Sequence, residues 1–292
     1  MPWLQLELEA TPDSAEQLSE LLQAAGAGAV TLQDAADQPL FEPPPGTTPL
    51  WNSTRVVGLF EADSDIPVVL TYLQQQLEPE PLPRWHLNPL EDREWVRAWM
   101  DNFQPMRFGE QLWICPTGYT PPQPQAINIL LDPGLAFGTG THPTTAMCLR
   151  WLDAHPPQDL AVIDYGCGSG ILAIAACELG ARQVSGVDID PQALLATYDN
   201  AEKNQVSDCI DAYLPADFHS QPVPLLLANI LAGPLQSLAP RFSELVESAG
   251  HIVLSGILAE QAEAVMQQYR ANFEIQLVDQ QEEWVCLAGQ RR

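Results

Sequence analysis

Ala161-Val-Ile-Asp-Tyr-Gly-Cys-Gly-Ser-Gly-Ile-Leu-Ala-Ile-Ala-Ala176 decides how the rest of the chain is read. It runs as strand, glycine loop and helix, an arrangement in which a ligand sits beyond the carboxyl end of the strand. Glycines there let the backbone approach a nucleotide-like ligand with no side chain in between. They fall at Gly166, Gly168 and Gly170, and Ile171 stands where a dinucleotide fingerprint has its third glycine. The loop therefore departs from the pyrophosphate-binding pattern. The next strand, Val184-Ser-Gly-Val-Asp-Ile-Asp190, sets Asp188 at its end, where a carboxylate can accept hydrogen bonds from both hydroxyls of a ribose. Loop and acid together fit a cofactor with adenosine and no phosphate, against the plainer reading of a structural turn and a surface aspartate.

Outward from this unit, strands and helices alternate. Strands are expected at 161–164, 183–188, 225–229 and 251–256, with helices at about 144–155, 170–179, 191–204, 234–247 and 260–272. That rhythm predicts an α/β domain with a parallel, doubly wound sheet. The segments 273–278 and 283–288 are joined by too short a connection for a crossover helix and are expected as an antiparallel hairpin at the sheet edge. Leu225-Leu-Leu-Ala-Asn229 ends in an amide at the same edge as the glycine loop, beside the first strand if the strand order reverses there. Asn229 is then either a hydrogen-bonding group for a cofactor or an amine, or the N-cap of the next helix. Further upstream, 108–116 and 127–131 read as two strands around a proline-rich turn.

The first ninety residues have a different rhythm. Leu4, Leu6 and Leu8 alternate with Gln5, Glu7 and Glu9, the period of a half-buried strand. Thr11-Pro12 opens a helix carrying Ala15, Leu18, Leu21, Leu22 and Ala25, which Gly26 can end. Strands at 29–32, 55–60 and 84–87 and a helix at 66–77 complete a βαββαβ order, the sequence of a small α+β module of ferredoxin-like type. Asn88, Pro89 and Glu91 fit an N-cap, a first-turn proline and a capping-box glutamate, opening a helix from about 90 to 103 that could join the two modules. The expected domains are thus 1–87, a linker helix at 88–104, and 105–292.

Composition narrows the function classes. The chain has 292 residues, 46% apolar and 17% charged, which excludes disorder and coiled coil and allows two domains at roughly 100–200 residues each. Its 38 acidic against 12 basic residues give a net charge of −26, and Lys203 is the single lysine. Nucleic acid is an unfavourable direct partner for such a surface, whereas a cationic protein is steered toward it. The first 90 residues carry 13 acids and 2 bases, so the small module is the denser in negative charge. Neither a basic, apolar leader nor a run of roughly 20 apolar residues is visible, and the chain reads as cytoplasmic, with no membrane segment. Its 6 cysteines are scattered without metal-site spacing, so no metal and reduced, mostly buried thiols are expected.

The Asp164–Gly170 loop, Asp188 and Asn229 together look like a class I S-adenosylmethionine-dependent methyltransferase, whose catalytic domain is a Rossmann-like seven-stranded α/β fold. More specifically, Leu131-Asp-Pro-Gly-Leu-Ala-Phe-Gly-Thr-Gly-Thr-His-Pro-Thr-Thr145, the 162–174 stretch and Ala228-Asn-Ile-Leu-Ala-Gly-Pro-Leu235 resemble the PrmA family, methyltransferases of large-subunit ribosomal protein eleven. The likeness carries motifs from about residue 88 onward; before that it rests on length and pattern. It implies an N-terminal domain that recognises the ribosomal protein, methyl transfer to lysine side chains and to the α-amino group, and a monomer. The family's cofactor contacts fall on Thr145, Gly166, Asp188 and Asn229, and all four residue types are present.

A sulfonium methyl is already an activated electrophile, so such a protein mainly aligns an in-line displacement and excludes water. A free lysine titrates near pH 10.4 and must be neutral to attack; desolvation lowers its pKa, and a carbonyl acceptor such as that of Asn229 can orient it. No side chain is assigned as general base: His142, before Pro143, reads as a loop residue at a helix start. The 137–141 loop either covers the methionine end of the cofactor or is a static turn, and Phe137 either walls the acceptor channel or anchors the core. Competing classes are a methyltransferase for another protein amine or amide, such as a translation-factor glutamine, a nicotinamide oxidoreductase, and a non-catalytic binding module. The second lacks its third glycine, and the first usually carries Asn-Pro-Pro-Tyr where this chain has Asn229-Ile-Leu-Ala.

Overall fold

Alternating leucines at the start of the chain need a cover for one face, and the first helices supply it. The structure, a computed structural model, describes residues 3–36, 38, 49–90, 104–131 and 142–292, and the chain divides into two compact units, Met1–Ala98 and Trp99–Arg292. In the first unit the order is β1 (Trp3–Ala10), α1 (Pro12–Ala24), β2 (Ala29–Asp34), β3 (Thr54–Glu61), α2 (Ile66–Leu77) and β4 (Trp85–Leu90). The strands form an antiparallel sheet in the order β2-β3-β1-β4. Leu6 and Leu8 of β1 meet Val56 and Phe60 of β3, Leu18 and Leu22 of α1 and Leu73 of α2 in one buried cluster. Each such side chain contributes roughly 1.5–3 kcal/mol by leaving water. Thr11 and Ser14 cap α1 reciprocally, and Asp65 accepts from the Val68 N–H at the start of α2.

Asn88 and Pro89, expected as the cap and first turn of the joining helix, lie instead inside β4, opposite Gln5 and Leu4. The alternation Trp85, Leu87, Pro89 continues the strand, and the Asn88 amide donates across it to Glu7 Oε1 at 2.9 Å. The cross-strand bond takes the side chain that the capping reading required. The helix expected up to residue 103 falls on 91–103, outside the described residues.

The second unit opens with three short strands, β5 (Met106–Phe108), β6 (Leu112–Cys115) and β7 (Ile127–Leu130), in a small sheet of that order. Then follow α3 (Pro143–Ala154), β8 (Ala161–Tyr165), α4 (Ile171–Glu178), β9 (Gln183–Val187), α5 (Pro191–Lys203), β10 (Ile210–Tyr213), β11 (Val223–Asn229), α6 (Ala232–Leu245), β12 (Val246–Leu258), α7 (Ala262–Tyr269), β13 (Phe273–Gln281) and β14 (Trp284–Arg291). The seven-stranded sheet has the order β10-β9-β8-β11-β12-β14-β13. Its first five strands are parallel, and β14 runs antiparallel between β12 and β13. The order reverses between β8 and β11, so the crevice for a ligand opens above those two strands.

Continuously apolar strands mean a sheet covered on both faces. Val162, Leu225 and Leu227 point into a core with Leu149, Leu152, Leu172 and Ile174 from α3 and α4. Ile163, Leu226 and Ala228 point the other way, against Leu235 and Phe242 of α6 and Tyr269 of α7. The sequence reading misses β10 and β5, which have only 4 and 3 residues. It also expects six reduced thiols, whereas Cys177 and Cys209 are bridged by a disulfide. Their separation of 32 residues carries no local signal; they meet because the end of α4 and the approach to β10 reach the same end of the sheet. The other four cysteines are buried and unbridged. No helix among the described residues is long and apolar enough to cross a membrane.

Candidate active site

Gly166, Asp188 and Asn229 all lie at the carboxyl edge of the parallel strands, as their places at strand ends require. Gly166 follows β8 with φ 84°, and a Cβ on it would stand 2.1 Å from Ile230 Cγ2. Only glycine combines that left-handed backbone with so close a neighbour. Its N–H donates to the Val187 carbonyl at 2.6 Å, so the loop is tied to the end of β9. Because Ile230 follows Asn229, the glycine loop and the end of β11 are packed against each other.

Asp188 uses both carboxylate oxygens on backbone. Oδ2 accepts from the Gly168 N–H at 2.9 Å and Oδ1 from the Asp190 N–H at 3.0 Å. A carboxylate has about four acceptor positions, so capacity is left for two hydroxyls of a ligand. Asp190 in turn caps α5 through the Gln192 N–H. Between the two acids, Ile189 is 83% exposed, an apolar side chain that the sequence reading passes over.

Asp164 is a second residue that the sequence reading does not assign. It is 1% exposed, its Oδ2 accepts from the Ala173 N–H at 3.0 Å, and its Oδ1 meets no hydrogen-bond partner among the described residues. Burial pushes its carboxyl up to about 7 and Asp188 adds to the rise, while the Ala173 bond opposes it. An acid as the penultimate residue of a strand before a glycine loop was the available signal. The carboxylate bonded to the loop, Asp188, is a poor setting for pyrophosphate and a good one for a cationic sulfonium cofactor.

Thr145 and Asn229 come together although 84 residues separate them: Asn229 Nδ2 donates to Thr145 Oγ1 at 3.1 Å. Thr145 is 3% exposed in the first turn of α3, whose N-cap is His142. The His142 Nδ1 lies 2.8 Å from Thr144 Oγ1 and accepts from the Thr144 N–H at 3.4 Å, which leaves the ring proton on Nε2. Desolvation lowers the His142 pKa, with Glu282 and Glu283 acting the other way. The Trp284 ring meets the imidazole edge-on at 5.0 Å between centroids. His142 is thus a helix cap, as its place before Pro143 suggests. Phe137 and the 137–141 loop lie outside the described residues.

Among the described residues no group of three or more His, Cys, Asp or Glu is placed to hold a metal. The donors present suit an uncharged ribose and a cationic end group, and the residues fit S-adenosylmethionine.

Comparison with known proteins identifies the family. The family model described as ribosomal protein L11 methyltransferase (PrmA) matches residues 2–292. The ribosomal protein L11 methyltransferase of Ectopseudomonas mendocina (strain ymp) is 53% identical over 293 residues, covering all of both chains. That of Colwellia psychrerythraea (strain 34H) is 52% identical, again over the full length of both. The crystal structure of the ribosomal protein L11 methylase from Lactobacillus delbrueckii subsp. bulgaricus is 34% identical, with a TM-score of 0.60, and covers 65% of this chain and 100% of its own. A switch-point crevice lined by glycine, acid and amide, in a chain similar to these enzymes from end to end, places it in the ribosomal protein L11 methyltransferase (PrmA) family of S-adenosylmethionine-dependent enzymes.

Proposed function

We propose that this protein transfers methyl groups from S-adenosylmethionine to lysine side chains and the N-terminal amine of ribosomal protein L11, with Thr145, Gly166, Asp188 and Asn229 forming the cofactor and acceptor site. The observation that carries the reading is the Asn229–Thr145 hydrogen bond at the sheet edge, beside the glycine loop. Asp188 orients the ribose through its remaining acceptor positions, and the exposed Ile189 offers an apolar surface to the adenine. Gly166 and Gly168 present backbone alone, so the cofactor can lie close to the loop. Thr145, in the first turn of α3, is assigned to the amino acid end.

When bound, the cofactor supplies a methyl group on a sulfonium, ready for displacement. The acceptor amine must arrive neutral, and burial at the sheet edge lowers its pKa. Asn229 commits its Nδ2 to Thr145, so its carbonyl oxygen is the end left to accept an N–H of the amine. That contact aims the nitrogen lone pair toward the methyl and needs no side-chain base. The acceptor sheds its proton to water before attack, the nitrogen–methyl bond forms as the sulfur–methyl bond breaks, and the products are a methylated ammonium, which keeps its charge in water, and the neutral thioether.

We read the Met1–Ala98 unit as a ferredoxin-like substrate-recognition domain, on its βαββαβ order and sheet order β2-β3-β1-β4. Its 13 acids against 2 bases before residue 91 suit a basic ribosomal protein. In this reading the enzyme works in the cytoplasm as a monomer, without metal or direct contact to nucleic acid. Incubating it with labelled S-adenosylmethionine and total ribosomal proteins from a strain lacking the gene tests the proposal. Label on amines of one ribosomal protein is the expected result; saturable cofactor binding with no label would overturn the acceptor and retain the cofactor.

A further inference from the structure

Helix α5 carries a polar stripe on the side that should be apolar. Thr197, Asn200 and Asn204 are spaced three and four residues apart, which puts them on one face. Thr197 is 0% and Asn200 7% exposed. Buried polar groups are costly unless bonded, and what these bond is informative. The Thr197 hydroxyl donates to the Gly168 carbonyl at 3.1 Å and lies 3.5 Å from Cys167 Sγ. Asn200 Nδ2 donates to the Ser169 carbonyl at 2.9 Å. Asn204 Nδ2 donates to the Leu130 carbonyl at 2.8 Å while its Oδ1 accepts from the Leu130 N–H at 2.7 Å.

The glycine loop is therefore held from two sides. Asp188 takes the N–H of Gly168, and α5 takes the carbonyls of Gly168 and Ser169. A Cβ on Gly170 would stand 3.0–3.1 Å from Thr197, so helix and loop are in direct contact as well. The same helix starts at Asp190, whose N–H lies on Asp188. Glycines confer no preferred orientation of their own on a peptide plane; here the orientation comes from these partners.

We propose that Thr197 and Asn200 are positioning residues for S-adenosylmethionine, acting through the carbonyls of Gly168 and Ser169 to hold the glycine loop in its binding conformation. The inference rests on the assignment of that loop to the cofactor. Neither residue touches the reacting atoms; both set the shape of the loop assigned to the cofactor.

Calorimetric titration of S-adenosylmethionine into the full-length protein tests this. Wild-type protein that fails to bind would sink the cofactor assignment itself; the variants address the inference. Thr197→Val keeps the shape and removes the donor, Thr197→Ser keeps the donor, and Asn200→Asp removes the Nδ2 donor. Both donor-less variants should raise the Kd about ten-fold, one hydrogen bond at roughly 1.4 kcal/mol, with KM for the protein acceptor unchanged and Thr197→Ser close to wild type. Ser243→Ala supplies the control: it removes a buried hydroxyl bonded to the Ala239 carbonyl on the opposite face. It should lower Tm and leave the Kd unchanged. If Thr197→Val folds poorly, amide hydrogen exchange at Gly168 and Gly170 in Asn200→Asp replaces it, and should speed up without cofactor while α6 is unaffected. Donor-less variants that bind like wild type, or a Ser243→Ala protein that loses affinity equally, would overturn the inference.

Discussion

Asn229 Nδ2 donates to Thr145 Oγ1 at 3.1 Å, joining the end of β11 to the first turn of α3. The bond fixes which way round the amide sits. On the proposed assignment its carbonyl end serves the acceptor, and Asn229→Ala should lower the rate of methyl transfer roughly 100-fold, the scale for losing one aligned polar group at a reacting centre. Cofactor affinity should change much less. Single-turnover transfer beside calorimetric binding separates the two, and undiminished transfer would dismiss the role.

On the proposed assignment Asp188 answers to two demands at once, the Gly168 N–H and the ribose. Asp188→Ala should weaken S-adenosylmethionine about 10- to 100-fold, one or two charge-assisted hydrogen bonds. It should weaken S-adenosylhomocysteine by the same factor, since both share the ribose. Asp188→Asn, which keeps one acceptor oxygen, should fall between. A loss confined to the sulfonium form would point to charge rather than the hydroxyls.

Asp164 and His142 make opposite contributions to stability as pH changes. The Asp164 carboxyl is raised from 3.8 to about 7 in the folded protein, so the native state holds a proton that the unfolded chain gives up between those values. Its penalty grows as pH rises from about 4 to 7 and is then constant. Asp164→Asn should stabilise the cofactor-free protein at pH 8 by a few kcal/mol, because a tenfold change in proton affinity on folding is worth about 1.4 kcal/mol, and hardly at all at pH 4. His142 is lowered below its ordinary 6.5. Its contribution is complete above that value and is lost as pH falls from 6.5 through the folded pKa, when the ring gains the proton that the cap excludes. Urea titrations of wild type, Asp164→Asn and His142→Asn across pH 4–8 check both signs.

The Cys177–Cys209 bridge closes a loop of 32 residues. Chain-entropy arguments give such a bridge about 3–4 kcal/mol. Reduction, or Cys177→Ser with Cys209→Ser, should lower stability on that scale while leaving cofactor affinity within about two-fold, because both cysteines sit away from the carboxyl edge. Alkylation in denaturant without reductant should label four thiols; six labels would show the bridge absent.

What was legible in the sequence was local. Gly166, Gly168 and Asp188 announce a crevice because a strand, a turn and a helix are written in one continuous stretch, and the helix cap at Thr11 is read within three residues of itself. The family resemblance put Asn229 and Thr145 at one cofactor, but the bond between them was out of reach, since nothing in either neighbourhood encodes a partner 84 residues away. Strand β10 was missed because 4 residues at the sheet margin, Asp211 and Tyr213 among them, bury too little to produce a pattern. Asn88 misled for the reverse reason: its local signal for a cap was sound, and a distant glutamate, Glu7, outweighed it. Asp164 was visible as a residue and silent as a function until its burial was known.

The last hairpin runs back to the carboxyl edge, and Trp284 at its turn rests against His142, the cap of the helix that bears Thr145. The order of synthesis therefore matters. Residues 142–229 contain the glycine loop, the acid and the amide, yet the ring that braces the first turn of α3 is translated more than fifty residues after them. A nascent chain has its cofactor groups before it has their support, and activity should appear only once β14 is made. Chains ending after Phe273 should keep far-ultraviolet helix signal and bind S-adenosylmethionine poorly, so the cofactor site is completed only by the last strand to be made.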